Sequence, residues 1–170
     1  MCGGACVGNV HGVVVRGRGG LMPLEESENL FTVVVSKDVP APLDTVFWYF
    51  VTHAFWEKWW IHTREVHEGN VGVGGRFRIK CEDNRADVIY TVSGCLKTIA
   101  RSESMIFSWT IEEPQELANE THVTVTFARS VAGTLVTVCH AGFISRDAAV
   151  LHDEGWEGGL NRACYFIMRL

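Results

Sequence analysis

The stretch HDEGWEGGLNRA, residues 152–163, decides the fold because it combines a helical pattern with three glycines. An interior glycine costs a helix about 1 kcal/mol relative to alanine. Nevertheless, apolar residues share one helical face here and in the residues that follow; they are Trp156, Leu160, Ala163, Cys164 and Ile167. We therefore predict a long C-terminal helix that begins after the N-cap residue Ser145 and crosses a sheet closely.

The glycines fit such a crossing. Gly155 has no Cβ and would let the two backbones approach, while Trp156 turns inward to fill the space between helix and sheet. Gly158 and Gly159 are predicted to kink the helix where it closes over a cavity.

Apolar and polar residues alternate in most of the segments upstream, which is the pattern of half-buried strands. Short turns such as residues 130–133 join successive segments, so an antiparallel meander is predicted. The predicted strands are residues 30–39, 74–82, 86–100, 104–113, 121–130 and 133–143. In the loop before the second strand, a positive φ at Gly74 or Gly75 explains the glycine-rich sequence better than a phosphate-binding loop, because no helix follows it.

Two short helices are predicted between the first and second strands. Pro42 suits the first turn of a helix, and apolar residues then recur at helical spacing as far as Val51. Thr52 can cap a second helix over residues 54–60. The fold class is thus α+β: a curved antiparallel sheet of about six or seven strands wrapped around the C-terminal helix, with an internal cavity.

Composition indicates one globular domain, residues 30–170, preceded by a flexible tail over residues 1–29, with Met22 as an alternative start. The net charge of −5, without clustered basic residues, excludes nucleic acid as the main partner. No apolar run is long enough to span a membrane and no signal peptide is recognisable. The six cysteines form no C-x-x-C pair, so we expect reduced thiols and a cytoplasmic location.

Several motifs in order resemble the activator of Hsp90 ATPase homologue-like family, within the Bet v 1-like, START-related (SRPBCC) helix-grip superfamily. They are APLDTVFWYFVTHAFWEKWW at 41–60, VGVGGRFRI at 71–79, IFSWTIEE at 106–113, GTLVTVCHAGF at 133–143 and LHDEGWEGGL at 151–160. The resemblance covers about 140 residues and implies a helix-grip fold. It says less about chemistry, because this fold carries many activities.

Aromatic residues are the main candidates for a binding site, because rings can line an apolar pocket and indole or phenol groups add polar handles. The candidate ligand-binding residues are Trp59, Trp60, Tyr90, Phe107, Trp109, His140 and Trp156. No catalytic set is assigned, and His140 and Tyr90 are the weak catalytic candidates. Cys139 and His140 face opposite sides of their strand, so they cannot form a nucleophile pair.

We expect no metal and no cofactor. His152, Asp153 and Glu154 spread around the helix and do not form a metal site, and His53, His62 and His67 lack a well-spaced second ligand.

The first functional hypothesis is a non-enzymatic module that binds a small hydrophobic or aromatic molecule. The resemblance implies a second, an Hsp90-binding co-chaperone, although only about 29 residues precede the first strand, where the eukaryotic activators carry a further domain. The third is a cavity enzyme of the polyketide cyclase type, which would use His140 and Tyr90. The assembly is expected to be a monomer or a homodimer.

Overall fold

The computed structural model describes residues 12–16, 30–52, 63–69, 72–83, 88–113 and 119–170. Two helices lie in these residues: α1 (Leu43–Val51) and α2 (Arg146–Ile167). The strands are β1 (Gly12–Arg16), β2 (Leu30–Val39), β3 (Thr63–Gly69), β4 (Arg76–Asp83), β5 (Val88–Ala100), β6 (Ser104–Glu113), β7 (Thr121–Ser130) and β8 (Gly133–Phe143).

The described strands form one antiparallel sheet in the order β1-β2-β8-β7-β6-β5-β4-β3. Strand β2 therefore pairs with β8, and the meander from β3 to β8 is continuous in space. The long helix α2 packs on the sheet mainly through β2. The predicted α+β class, with a curved antiparallel sheet around a C-terminal helix, is confirmed.

The six predicted strands are all present, with ends shifted by up to two residues in β4 and β5. Two strands at the edges of the sheet are additional. Strand β3 has the polar sequence TREVHEG, which lacks the alternation of a half-buried strand. Strand β1 falls inside the segment predicted as a flexible tail; residues 12–16 instead pair with β2. The predicted second short helix lies outside the described residues.

The predicted turn at Gly74 and the predicted cap at Ser145 occur, whereas Pro42 precedes the first turn of α1 and Thr52 ends that helix. Gly74 has φ +83° and donates its N–H to the carbonyl of Leu96 at 2.7 Å. The hydroxyl of Ser145 accepts the N–H of Ala148 at 3.3 Å and caps α2. The helix then continues through Gly155, Gly158 and Gly159, of which Gly159 is buried and the other two are half-buried.

Two aromatic groups fill the described core. Phe47 and Phe50 of α1 pack edge-to-face on Phe127 of β7, with ring centroids 5.5 and 5.4 Å apart. Phe77 of β4 contacts Phe107, and this second group continues through Trp109 to Trp156. The first group attaches α1 to the sheet and the second attaches α2. In the described part of the chain, no helix is long and apolar enough to cross a membrane.

Gly94 of β5 lies where the backbone of β6 and the ring of Phe77 approach the strand closely. A Cβ there would overlap the carbonyl oxygen of Ser108 and the ring of Phe77. We expect Gly94→Ala to lower the free energy of unfolding by about 2–3 kcal/mol, because the ring and the backbone must both move. Urea unfolding followed by circular dichroism measures the change.

Gly74→Ala is the matched control, since nothing lies within 4 Å of its added Cβ and only the positive φ opposes it. Its cost should be about 1–2 kcal/mol. An unchanged stability of the Gly94→Ala protein would contradict the close approach.

Candidate functional site

A chain of hydrogen bonds crosses the core at His140, which is fully buried on β8. The indole N–H of Trp156 donates to His140 Nδ1 at 3.0 Å. On the other side of the ring, His140 Nε2 lies 2.6 Å from the hydroxyl of Thr121, and that hydroxyl donates to the carbonyl of Trp109 at 2.8 Å. The hydroxyl proton is thus committed to Trp109, so we assign the ring proton of His140 to Nε2.

A second tryptophan–histidine pair lies beside the first. The indole N–H of Trp109 donates to Nε2 of His152 at 3.2 Å. His152 Nδ1 lies 2.7 Å from the carbonyl of Ala148, one helical turn earlier, and must donate to it. Each histidine therefore uses one nitrogen as an acceptor for an indole and the other as a donor.

The two histidine rings lie 5.0 Å apart and nearly perpendicular, at 85°. Phe143, at the end of β8, packs on both of them, with centroid distances of 4.4 and 4.7 Å. Burial holds the pKa of His140 well below its usual value, and His152 nearby lowers that pKa further. Burial also lowers the pKa of His152. Both rings are therefore neutral, and a proton on either acceptor nitrogen would face an indole N–H.

Strand alternation and helix spacing produce this arrangement. On β8 the buried residues Thr134, Val136, Val138 and His140 alternate with half-buried ones, which places His140 on the face under α2. On α2, His152 and Trp156 are four residues apart and so share a face.

A pocket of about 80 Å³ lies next to the second pair, between the start of α2 and the ends of β6, β7 and β8. Its wall is mostly apolar, with four polar side chains. The lining residues are Trp109, Ile111, Asn119, Thr121, Phe143, Ile144, Ser145, Ala148 and His152.

The polar groups in this wall are largely engaged. Asn119 donates to the carbonyl of Gly142 at 2.8 Å, and the hydroxyl of Ser145 caps α2. With the network bonds of Thr121 and His152, the wall presents polar atoms that are already oriented.

The structure brings three of the seven predicted binding residues together: Trp109, His140 and Trp156. Phe107 adjoins them through Trp109, with ring centroids 6.4 Å apart. Tyr90 lies on β5, three strands from β8. Through the register of the sheet, the residue of β5 level with His140 is Leu96, six positions from Tyr90. Tyr90 is therefore remote from His140. Trp59 and Trp60 lie outside the described residues.

His140 and Trp156 are fully buried between helix and sheet. Of the predicted binding residues that the structure describes, Trp109 lines the pocket. Thr121, Phe143 and His152 are not among the predicted binding residues; in the sequence His152 stands out only as a metal ligand without suitably spaced partners. The spacing of His152 and Trp156 on one helical face was the available signal.

Within the part of the chain that the structure describes, Cys81, Cys95, Cys139 and Cys164 form no disulfide. Within the described residues no three of His, Cys, Asp and Glu come together as metal ligands would.

Residues 40–162 match the family model of the Activator of Hsp90 ATPase homolog 1-like protein. The chain belongs to this family. Solved structures share the fold at low identity. Protein CV1439 from Chromobacterium violaceum superposes with a TM-score of 0.71 at 16% identity, covering 80% of this chain and 96% of that one.

Two further structures are similar. The AHSA1 protein from Silicibacter pomeroyi has a TM-score of 0.66 at 15% identity, with 81% and 97% of the two chains covered. CalU16 from Micromonospora echinospora has a TM-score of 0.64 at 21% identity, with 82% and 75% covered. No curated protein sequence matches this chain.

The neutral histidines make stability depend on pH. Burial holds the folded-state pKa values of His140 and His152 below the ordinary histidine value of about 6.5, so the unfolded chain takes up protons first as the pH falls. The free energy of unfolding should therefore be fully present above about pH 6.5 and fall below it, by up to about 1.4 kcal/mol per pH unit for each histidine. Urea titrations at several pH values between 5 and 8 measure this slope.

His152→Asn tests the assignment, because the asparagine amide can replace Nδ1 as the donor to Ala148 but does not titrate. Below pH 6.5, the slope of the free energy of unfolding against pH should then correspond to about one proton fewer taken up on unfolding. A slope identical to that of the parent protein would show that His152 does not contribute.

Replacing Thr121 by valine removes the hydroxyl and should break the chain of hydrogen bonds while the side-chain volume stays nearly the same. We expect Thr121→Val to lower the free energy of unfolding by about 1–3 kcal/mol, since His140 Nε2–H and the Trp109 carbonyl lose their partner in the core. Thr124→Val, on the other face of β7, is the control and should change stability by less than about 0.5 kcal/mol. Equal effects of the two substitutions would contradict the network.

Proposed function

We propose that residues 30–170 form a non-enzymatic binding module that takes the apolar end of a small hydrophobic or aromatic molecule into the pocket beside Trp109 and His152. The observation that carries the proposal is the pocket itself: a mostly apolar wall with a few fixed polar groups. This is the composition of small-molecule sites, in which apolar surface supplies affinity and a few polar groups fix orientation.

The shape of the wall favours a flat ligand. The rings of Phe143 and His152 have centroids 4.7 Å apart, and the indole of Trp109 stands nearly perpendicular to His152, at 79°. A planar ring inserted beside them can make the offset or edge contacts that aromatic groups prefer. The side chain of Asn119 also lines this pocket; its amide nitrogen donates to Gly142, and its amide oxygen suits one donor substituent on that ring.

The size of the pocket limits how much of the ligand is enclosed. At about 80 Å³ it is well below the roughly 300–1,000 Å³ that encloses a drug-sized molecule. We therefore propose that one ring or short aliphatic group enters while the rest of the molecule stays at the surface near Ile144, which is 61% exposed.

The ring nitrogens of both histidines are already hydrogen-bonded, which supports ligand binding over catalysis. A general base needs a free nitrogen within reach of the substrate. In this site all four ring nitrogens of His140 and His152 have partners, and two of those partners are indole N–H groups that hold the acceptor nitrogens. The distance from Tyr90 to His140 likewise gives the cyclase hypothesis no catalytic pair.

Phenol and cyclohexanol serve as a matched pair of probes, since both carry one hydroxyl on a six-membered ring and only phenol is planar. We expect phenol to shift the indole N–H resonance of Trp109 in protein NMR titrations, and cyclohexanol to bind more weakly. Ala148→Leu should fill the pocket and weaken phenol binding at least tenfold, because the added carbons occupy the space of the ring.

Val150→Leu is the control on the same helix, since Val150 does not line the pocket and is 39% exposed. It should leave phenol binding unchanged. If neither probe shifts the Trp109 resonance at millimolar concentration, or if both leucine variants bind phenol as the parent does, the pocket is not a ligand site.

Activation of the Hsp90 ATPase is a second candidate, and membership of the family is what favours it. A steady-state ATPase assay with purified Hsp90 tests it independently of the pocket. A rate that rises with added protein, and that rises equally with Ala148→Leu, would assign the family activity to a surface outside the pocket.

A further inference from the structure

Strand β8 contains a β-bulge at Gly142, next to the pocket. Its pairing with β2 skips this residue, with Ala141 opposite Thr32 and Phe143 opposite Phe31. Gly142 has φ +103°, which a glycine adopts without steric cost. The extra residue reverses the alternation of side chains along β8, so Phe143 is buried and forms part of the pocket wall.

The bulge makes the carbonyl of Gly142 available to a side chain. A bulged residue is left out of the hydrogen-bond ladder, and this carbonyl accepts an N–H of the Asn119 amide at 2.8 Å. Because a carbonyl can only accept, the nitrogen of the amide must face it, and the orientation of the Asn119 amide is fixed. Asn119 lines the pocket and Gly142 does not, so the amide oxygen is the acceptor that Asn119 retains for a ligand.

The remaining polar side chains of the described wall supply one free donor. The hydroxyl of Thr121 and the ring nitrogens of His152 make their hydrogen bonds within the network. The hydroxyl of Ser145 accepts the N–H of Ala148 and keeps its own proton as a donor. The wall thus presents a free amide oxygen on Asn119 and a free hydroxyl proton on Ser145.

The described wall also lacks a charge. Its lining residues are uncharged, and this includes His152, because burial lowers the pKa of that ring. An ion that moves from water into a mostly apolar pocket loses its hydration and gains no counter-charge there. The pocket therefore favours a neutral group over an ionised one.

We propose that the pocket selects a neutral ring that carries a hydroxyl group, and that Asn119 is the residue that determines this specificity. A hydroxyl both donates and accepts, so it matches a wall with one free acceptor and one free donor. The inference rests on the proposed function, because it concerns the ligand of the same pocket. It adds which substituent the ring carries and which side chain recognises it.

Rejection of the wrong ligand contributes most of this specificity. A ring without a donor would displace water from the pocket and leave the amide oxygen of Asn119 without a partner. Leaving a polar atom unpaired costs more free energy than a typical hydrogen bond gains. A ring of the same size without a donor is therefore the ligand that this wall disfavours.

Two matched pairs of probes test the proposal in the full chain, with the indole N–H resonance of Trp109 as the readout in NMR titrations. Fluorobenzene has nearly the size of phenol but cannot donate a hydrogen bond. We expect phenol to bind more tightly than fluorobenzene, by about three- to tenfold. At neutral pH, benzamide should bind at least about tenfold more tightly than benzoate, which has the same shape and carries a charge.

Asn119→Ala separates recognition of the hydroxyl from a structural role. It should weaken phenol binding about three- to tenfold and leave fluorobenzene binding unchanged, because only phenol uses the amide oxygen. A collapse of the pocket would instead weaken the binding of both probes. Asn161→Ala is the matched control, since Asn161 is exposed on α2 and does not line this pocket, and it should change the affinity of neither probe.

The outcomes distinguish this inference from the proposed function. Equal affinities for phenol and fluorobenzene in the parent chain, benzoate binding as tight as that of benzamide, or equal weakening of both ring probes by Asn119→Ala would overturn the inference and leave the pocket a ligand site. If no probe shifts the Trp109 resonance, the proposed function fails and this inference fails with it.

Discussion

The hydrogen bond from the Trp156 indole to His140 is the interaction on which the rest of the structure depends. It connects α2 to β8 through two side chains that are fully buried. From His140 the connection continues through Thr121 on β7 to the backbone of Trp109 on β6. A continuous series of hydrogen bonds thus connects one helix to three neighbouring strands. Every donor and acceptor in the series has a partner, as polar groups in a dry core require.

This network fixes the charge state of the site as well as its geometry. Each indole N–H can only donate, so each histidine must keep one nitrogen unprotonated to accept it. Two histidines whose rings lie 5.0 Å apart in the core therefore remain neutral. Two buried positive charges at this distance would lose their hydration without gaining a counter-charge. A site built this way has little capacity to move protons, which supports the proposal of a binding role.

The local elements of this fold follow from the sequence, and the contacts between them do not. Alternation predicted β2 and β4–β8, and Ser145 and Gly74 mark an actual helix cap and turn. Strands β1 and β3 were not predicted, because β1 lies in a glycine-rich segment and β3 has a polar sequence. Neither sequence alternates apolar and polar residues as a half-buried strand does. Both segments are strands because each pairs with an adjacent strand of the sheet.

The candidate site was predictable in part for the same reason. His140, Trp109 and Trp156 were selected because their residue types stand out, but the bond from Trp109 to His152 joins residues 43 positions apart. Only the fold decides that α2 brings His152 to β6. The sequence also could not show where between helix and sheet the indoles pack and where the pocket lies, because the free volume depends on how far the helix stands from the sheet.

Trp109 takes part in both the hydrogen-bond network and the wall of the pocket. Its carbonyl accepts the bond from Thr121, its indole donates to His152, and its side chain forms part of the pocket wall. Whatever enters the pocket changes the surroundings of a chromophore whose N–H is held by a neutral imidazole. The fluorescence of Trp109 would therefore respond to a molecule in this pocket without any added label.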